Sequence, residues 1–270
     1  MMRTHPIAPS TGPSAPWTWF AIGAMACSLW VALHQWPAQW LAPVVRHLSE
    51  GRVQLIEAQG TVWEGSAHLA LGPGPDSPTT TAWSQRLHWR LTPQGLTDWH
   101  LRLRPSERPE SDAWSWRLQW HPSGWALSVS DIDWRLPTAW LAGLGAPWNT
   151  VEPDGVMRLR SQGWGWQQGP SGTPTHGQIG LTLEGFATRL SSLRPLGDYQ
   201  LTLHGATVPR VELRTLQGHL HLSGLGHWQN GRLQFLGEAW ALQAQDETAL
   251  SNLLNVLGPR IGPRTLLKVG

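Results

Sequence analysis

The chain has 270 residues, of which 29 are Gly and 22 are Pro, and only 14% are charged. Gly and Pro at this frequency argue against a mainly helical protein and favour many short strands joined by turns. The formal net charge is +2 and the Arg residues are scattered, so the basic stripe that nucleic-acid binding requires is absent. The single cysteine, Cys27, excludes a disulfide within the chain, so the fold depends on strand pairing and burial.

The first distinctive segment begins at Trp17 and carries no charge as far as Leu33. With residues 34–41 included, it is long enough to span a bilayer at about 1.5 Å per residue. Trp17 and Trp19 at one end, and Trp36 and Trp40 at the other, are typical of residues at membrane interfaces. The sequence therefore predicts a tail over 1–16, a transmembrane helix over 17–41 and a β-rich domain over 42–270.

A cleaved signal peptide is the alternative for this segment. Its apolar region would span about 7–15 residues and end at small residues, whereas residues 34–37 read His-Gln-Trp-Pro. We therefore favour an uncleaved anchor. Its orientation is not settled by charge, because Arg3 on one side faces Arg46 and Arg52 on the other.

Beyond residue 52 apolar and polar residues alternate with period 2, for example over 86–91, 99–104 and 199–203. This pattern is typical of strands with one buried and one solvated face. Turn signals separate the strands, and the strongest is Asn230–Gly231. The pattern predicts a mainly β domain with a curved antiparallel sheet, either an open groove or sandwich-like. Exposed loops are expected over 72–81, 106–111 and 167–177.

Helical signals are few in this domain. Residues 137–144 predict one short helix, and residues 247–257 place Leu250, Leu253, Leu254 and Leu257 on one face. Asp246 is expected to cap the second helix, and Gly258–Pro259 to end it.

Tryptophan is unusually frequent, with 20 Trp against 1 Tyr and 3 Phe. One interpretation is a set of stacking platforms for sugars or nucleic acid. The other is a coding bias, which the basic residues support, because Lys268 is the only Lys. We favour the second interpretation, in which most Trp residues are strand and interface residues.

Two groups of polar residues are candidates for chemistry. His219 and His221, with His227 nearby, have the spacing of metal ligands on a strand, but the further ligands of a closed zinc site are missing. Asp131 and Asp133 also share a strand face, where a pair of carboxylates could do acid–base chemistry or bind calcium, but we favour a solvated strand end before Pro137. No nucleophile elbow or phosphate loop occurs. We therefore expect no enzymatic activity, no cofactor and no metal.

Five blocks of sequence, at 60–67, 193–201, 218–224, 230–239 and 253–258, resemble the type II secretion system protein N family. The resemblance implies a single-pass protein of the Gram-negative inner membrane, with its N-terminus in the cytoplasm and its domain in the periplasm. It also implies an accessory role in the export of folded proteins through the outer membrane, by contact with other secretion components. The family is distantly similar to AsmA-like proteins, which implies as an alternative a β-groove that binds or transfers phospholipid between envelope membranes.

Two candidate sites follow. The first is a motif that serves either as a structural turn or as a partner-docking surface with Glu64 as a contact: Gly60, Thr61, Val62, Trp63, Glu64 and Gly65. The second is an apolar strand face that would line a groove: Leu181, Leu183, Leu201, Leu203, Leu220 and Leu222.

Overall fold

A computed structural model of the protein describes residues 17–74, 80–146, 148–168, 175–229 and 232–269. The predicted tail over 1–16, the predicted turn at Asn230–Gly231 and the middle of the loops predicted over 72–81 and 167–177 lie outside these ranges. The chain divides into two compact units, one that ends at Trp36 and one that begins at Pro37.

The first unit contains helix α1 (Trp17–His34), on which Phe20, Ile22 and Met25 are exposed. None of the helices in the described part of the chain has the length and apolarity needed to cross a membrane. The predicted transmembrane helix over 17–41 is therefore not supported. The helix ends before Pro37 because a residue that precedes proline disfavours the helical conformation.

The second unit is dominated by strands. Across the described residues, fifteen strands form one open antiparallel sheet, which confirms the predicted mainly β fold. Their bounds are β1 (Val53–Gly60), β2 (Glu64–Leu71), β3 (Thr81–Pro93), β4 (Asp98–Pro105), β5 (Trp114–His121), β6 (Gly124–Val129), β7 (Ile132–Pro137), β8 (Asp154–Gln167), β9 (Thr175–Ala187), β10 (Gly197–His204), β11 (Arg210–Gly218), β12 (Leu220–Gln229), β13 (Arg232–Ala241), β14 (Arg260–Ile261) and β15 (Arg264–Val269).

Almost every strand pairs with the strand that follows it in the chain, as expected of a meander. Two places depart from this order. Strands β6 and β7 lie one after the other along the same edge of β8, and β15 lies between β13 and β14. Because β8 is 14 residues long, it has room for both short partners.

Helices are short in the second unit. They are α2 (Leu41–Leu48), α3 (Trp148–Val151) and α4 (Glu247–Leu257), with 3-10 helices at Ala38–Trp40, Glu110–Asp112, Thr138–Leu144 and Ala244–Asp246. The segment predicted as a helix over 137–144 is thus a 3-10 helix, and α4 has the predicted bounds. The predicted cap is wrong, because the Asp246 side chain bonds no backbone N–H of α4. Its carboxylate oxygen Oδ2 lies instead 2.8 Å from Nδ1 of His219.

The largest cluster of buried side chains lies between α4 and the strands that end the chain. Leu250, Leu253 and Leu254 of α4 pack in one cluster with Tyr199 of β10 and Leu220 of β12. The Tyr199 hydroxyl donates to the Leu220 carbonyl oxygen at 3.1 Å. Burial, aided by the nearby Asp198, raises the pKa of this hydroxyl, so it stays a donor across the physiological range.

A second cluster joins strands that are not neighbours in the sheet. Trp83 of β3 packs in the same cluster as Trp134 of β7 and Met157 of β8. Trp140, in the 3-10 helix before α3, donates its indole N–H to the Thr81 carbonyl at 3.0 Å. Strands β3 and β7 are several strands apart in the sheet, and neighbouring strands are about 4.8 Å apart. The 3-10 helix that follows β7 therefore contacts β3 only because the sheet curves around it.

A third, smaller cluster lies at the start of the sheet. Ala38, Ala67 of β2 and Trp89 of β3 are buried together, with Leu41 of α2 and Leu55 of β1 packed against them. The start of α2 therefore covers the beginning of the sheet, as α4 covers its end.

We expect Leu254→Ala to destabilise the second unit by about 2–5 kcal/mol, because it leaves a cavity between α4 and the sheet. Leu254 is 0% exposed, whereas Val256 on the same helix is 41% exposed. Val256→Ala is therefore the matched control and is expected to change stability by less than about 0.5 kcal/mol. Urea unfolding of both variants makes the comparison, and equal losses would contradict the packing of α4 on the sheet.

Candidate functional site

The motif predicted over 60–65 forms the turn between β1 and β2. Gly60 pairs with Gly65 across the two strands, and Gly60 has φ +88°, a conformation that glycine adopts at little cost. Between them, the Thr61 N–H donates to the Glu64 carbonyl at 2.8 Å. The Glu64 N–H donates to the Thr61 hydroxyl at 3.1 Å. Residues of the turn thus provide hydrogen-bond partners for the turn's own backbone N–H groups.

The same turn is fixed against β3. The Trp89 indole N–H donates to the Val62 carbonyl at 3.1 Å, and the Leu91 N–H donates to the Trp63 carbonyl at 2.6 Å. A Cβ on Gly65 would lie 2.5 Å from Cζ2 of Trp89, so only glycine fits there. These contacts give most of the motif a structural role.

Glu64 is the exposed member of the motif. Its side chain is 66% exposed, and its carboxylate lies 2.7 Å from the Arg90 guanidinium on β3. The pKa of Arg90 is raised by this hydrogen bond. Because both groups face solvent, the ion pair adds little to stability, and Glu64 remains accessible to a partner.

Arg90 belongs to a group of basic side chains on the polar face of β3 and β4. The strand register places Arg90 opposite Arg102 and His88 opposite Arg104. With Glu64 and Glu110 at its rim, this group lines an open cleft. We call His88, Arg90, Arg102 and Arg104 the arginine cleft.

The carboxylates in the arginine cleft form ion pairs with only some of its Arg side chains. Glu64 pairs with Arg90, whereas Arg104 donates only to the Arg108 carbonyl, at 2.7 Å. Within the described part of the chain, the exposed Arg102 guanidinium has no hydrogen-bond or ion-pair partner. Burial, and then the charges of Arg104 and Arg86, lower the pKa of His88. The cleft therefore carries uncompensated positive charge.

The arginine cleft was missed by sequence reasoning. The alternation of residues 86–90 and 100–104 showed that the basic side chains share a face within each strand. The juxtaposition depends on the register of β3 with β4, which a single sequence does not specify.

The six residues predicted to line an apolar groove share one face of the sheet, but their surroundings differ. Leu220 is 1% exposed, and Leu183 and Leu222 pack against the α4 cluster. Leu181 lies opposite Leu201 and packs against the second cluster. Leu203 is partly buried, whereas Leu201 is 38% exposed. Of these six residues, Leu201 is thus the one that remains exposed.

The polar groups considered for chemistry are engaged within the fold. Asp133 accepts from Nε of Arg158 at 2.6 Å and from Nε of Arg160 at 3.1 Å. Asp131 accepts from the Gly163 N–H at 2.6 Å. Among the residues that the structure describes, no cluster of three His, Cys, Asp or Glu side chains could hold a metal ion.

The histidines considered as ligands have separate partners. His219 lies just before β12 and contacts Asp246, as described above. The His221 ring packs against Trp240, with ring centroids 4.1 Å apart and the ring planes tilted by 32°. The two rings therefore serve different contacts.

We expect Gly65→Ala to destabilise the protein by about 1–3 kcal/mol, because the added methyl overlaps Trp89 and the neighbouring backbone. Gly180 in β9 is the matched control, since its nearest atom to an added Cβ is 4.0 Å away. Gly180→Ala is expected to be close to neutral. Thermal unfolding compares the two, and a neutral Gly65→Ala would contradict the close packing of the turn on β3.

Asp133 gives a prediction of pH dependence. Its hydrogen bond from Arg158, opposed by burial and assisted by Arg160, lowers its pKa from 3.8 to about 2. A lowered carboxyl pKa stabilises the fold above 3.8, and this stabilisation is lost as the pH falls towards about 2. Because the Asp133 side chain is 42% exposed, the effect is expected to stay below about 1 kcal/mol.

The test of Asp133 is Asp133→Asn, studied by urea unfolding at several pH values. The difference in unfolding free energy between wild type and variant is expected to be constant near neutral pH and to shrink between 3.8 and about 2. A difference that does not change over this interval would contradict the ion pair.

Comparison of the chain with known proteins identifies its family. No curated protein and no solved structure was found to match the chain. The model of the family described as type II secretion system (T2SS), protein N, matches residues 51–266. The match includes the turn at Gly60–Gly65, the arginine cleft and α4. Because it covers far more than half of the 270 residues, the chain belongs to the type II secretion system protein N family.

Proposed function

We propose that the protein is an accessory component of the type II secretion system. In this proposal it assists the export of folded proteins through the outer membrane, by protein–protein contacts that its sheet makes in the periplasm. The observation that carries the proposal is the family match over residues 51–266. An inner-membrane location with the N-terminus in the cytoplasm is part of the proposal and rests on the family resemblance.

The arrangement of polar groups supports a role in binding. Asp133 is held by Arg158 and Arg160, and His219 is held by Asp246, so these groups act as parts of the fold. The arginine cleft, in contrast, is open and lined by charges that have too few internal partners. Charged surfaces of this kind steer protein partners and fix their orientation.

A phospholipid groove is less well supported. Lipid binding by the predicted apolar face requires a continuous open surface for acyl chains. Leu220, Leu183 and Leu222 are instead occupied by packing in the α4 cluster, which leaves the area around Leu201 open. We therefore give protein contact precedence over lipid binding.

Secretion in living cells tests the proposed function. Cells that lack this chain are expected to retain a type II secretion substrate in the periplasm. Expression of the wild-type chain is expected to return the substrate to the medium. A periplasmic enzyme that is not exported serves as the control for cell leakage. Unchanged secretion in the absence of the chain would contradict the proposal.

A further inference from the structure

The register of β3 with β4 brings like charges together on an exposed face. Arg90 lies directly opposite Arg102, and like charges in this arrangement destabilise a sheet. A second such pair, Arg135 opposite Arg158, shows how the fold compensates elsewhere. There Arg158 contacts the carboxylates of both Asp133 and Glu184.

The arginine cleft has fewer direct ion pairs than that second pair, in which Arg158 has two carboxylate partners and Arg135 has none among the described residues. Glu64 is the carboxylate in ion-pair contact with Arg90, and within the described residues no carboxylate pairs with Arg102 or Arg104. The excess positive charge raises the electrostatic free energy of the folded state. An anionic group that binds to Arg90 and Arg102 on the polar face of β3 and β4 lowers this energy.

We propose that the arginine cleft binds an extended segment of a partner protein that carries carboxylates at alternate positions. Arg102 and Arg104 are two residues apart on β4, which places their side chains about 6.6 Å apart on one face. An extended peptide presents its own alternate side chains at the same spacing. The planar guanidinium can donate two parallel N–H groups to the two oxygens of one carboxylate.

The chain itself provides an example of the interaction. The Glu64 carboxylate contacts Arg90 at 2.7 Å, and Glu110 lines the same cleft. Glu64 is largely exposed, so a stronger acidic ligand displaces it at little cost. The cleft therefore already holds one carboxylate on an Arg side chain.

The surroundings favour a peptide over a lipid headgroup. The cross-strand neighbours of the cleft on this face include Ser66 opposite His88 and Ser115 opposite Arg102. A phospholipid needs apolar surface beside its phosphate for the acyl chains, and these neighbours are polar. This inference rests on the proposed function for the identity of the partner, whereas binding to the cleft is measured independently of secretion.

The test uses the purified full-length chain and a labelled synthetic peptide with alternating Glu and Thr, in fluorescence anisotropy. Binding is expected to weaken as salt is added, because exposed charges are screened. A peptide with Gln in place of Glu is expected not to bind. Arg102→Gln is expected to lower the affinity about tenfold or more, as for loss of a charge-assisted hydrogen bond.

Arg214→Gln is the matched control variant. Arg214 lies on the polar face of β11, where it donates to Gln200, and its loss is expected to leave peptide affinity unchanged. Arg102→Gln is expected to melt at the wild-type temperature or above it, because it removes a like charge opposite Arg90. Such a result excludes misfolding as the cause of weaker binding.

Three results would overturn the inference. They are absence of peptide binding, equal affinities of wild type and Arg102→Gln, and binding only to phosphatidylglycerol vesicles. Each of these leaves the secretion result intact, so failure of the cleft inference is distinguishable from failure of the proposed function.

Discussion

Backbone hydrogen bonding between successive antiparallel strands is the interaction on which this protein depends. Throughout the described part of β1–β15, nearly every strand finds its partner next to it in the chain. Such a sheet satisfies backbone groups locally but does not by itself close a core. Separate pieces of helix therefore bury its apolar side, with α2 at the start, Thr138–Leu144 in the middle and α4 at the end.

Because the helices cover only the apolar side, the two faces of the sheet have different roles. The apolar face is packed where α4 covers it, since Leu220 is almost fully buried against Leu254 of that helix. The polar face is free to carry charge, and most of its Arg residues are balanced within the fold, as Arg158 is by Asp133. In the proposed account, a partner protein binds where that balance is incomplete, between Arg90 and Arg102.

The parts of this structure that sequence predicted well are those set by local pattern. The alternation of residues 99–104 gave β4, and the spacing of Leu250, Leu253 and Leu254 gave the bounds of α4. Long-range features were missed for a physical reason. The contact of Asp246 with His219 and the alignment of Arg90 with Arg102 depend on tertiary packing and strand register, which local pattern does not encode.

The predicted membrane span shows a limit of a different kind. The uncharged stretch from Trp17 reaches the length of a bilayer only when residues 34–41 are included. The structure ends α1 at His34 and assigns Leu41 to α2, which packs at the start of the sheet. Absence of charge was thus a weaker guide than the proline at position 37 to where the helix ends.

Site-specific photo-crosslinking in secreting cells tests the central claim, that this protein acts by protein contact through the polar face of its sheet. A crosslinker at position 102 probes the arginine cleft, and one at position 201 probes the open part of the apolar face. The account predicts that position 102 captures a component of the secretion system, identified by mass spectrometry, and that position 201 captures no phospholipid. Capture of phospholipid at 201, with no secretion component at 102, would contradict it.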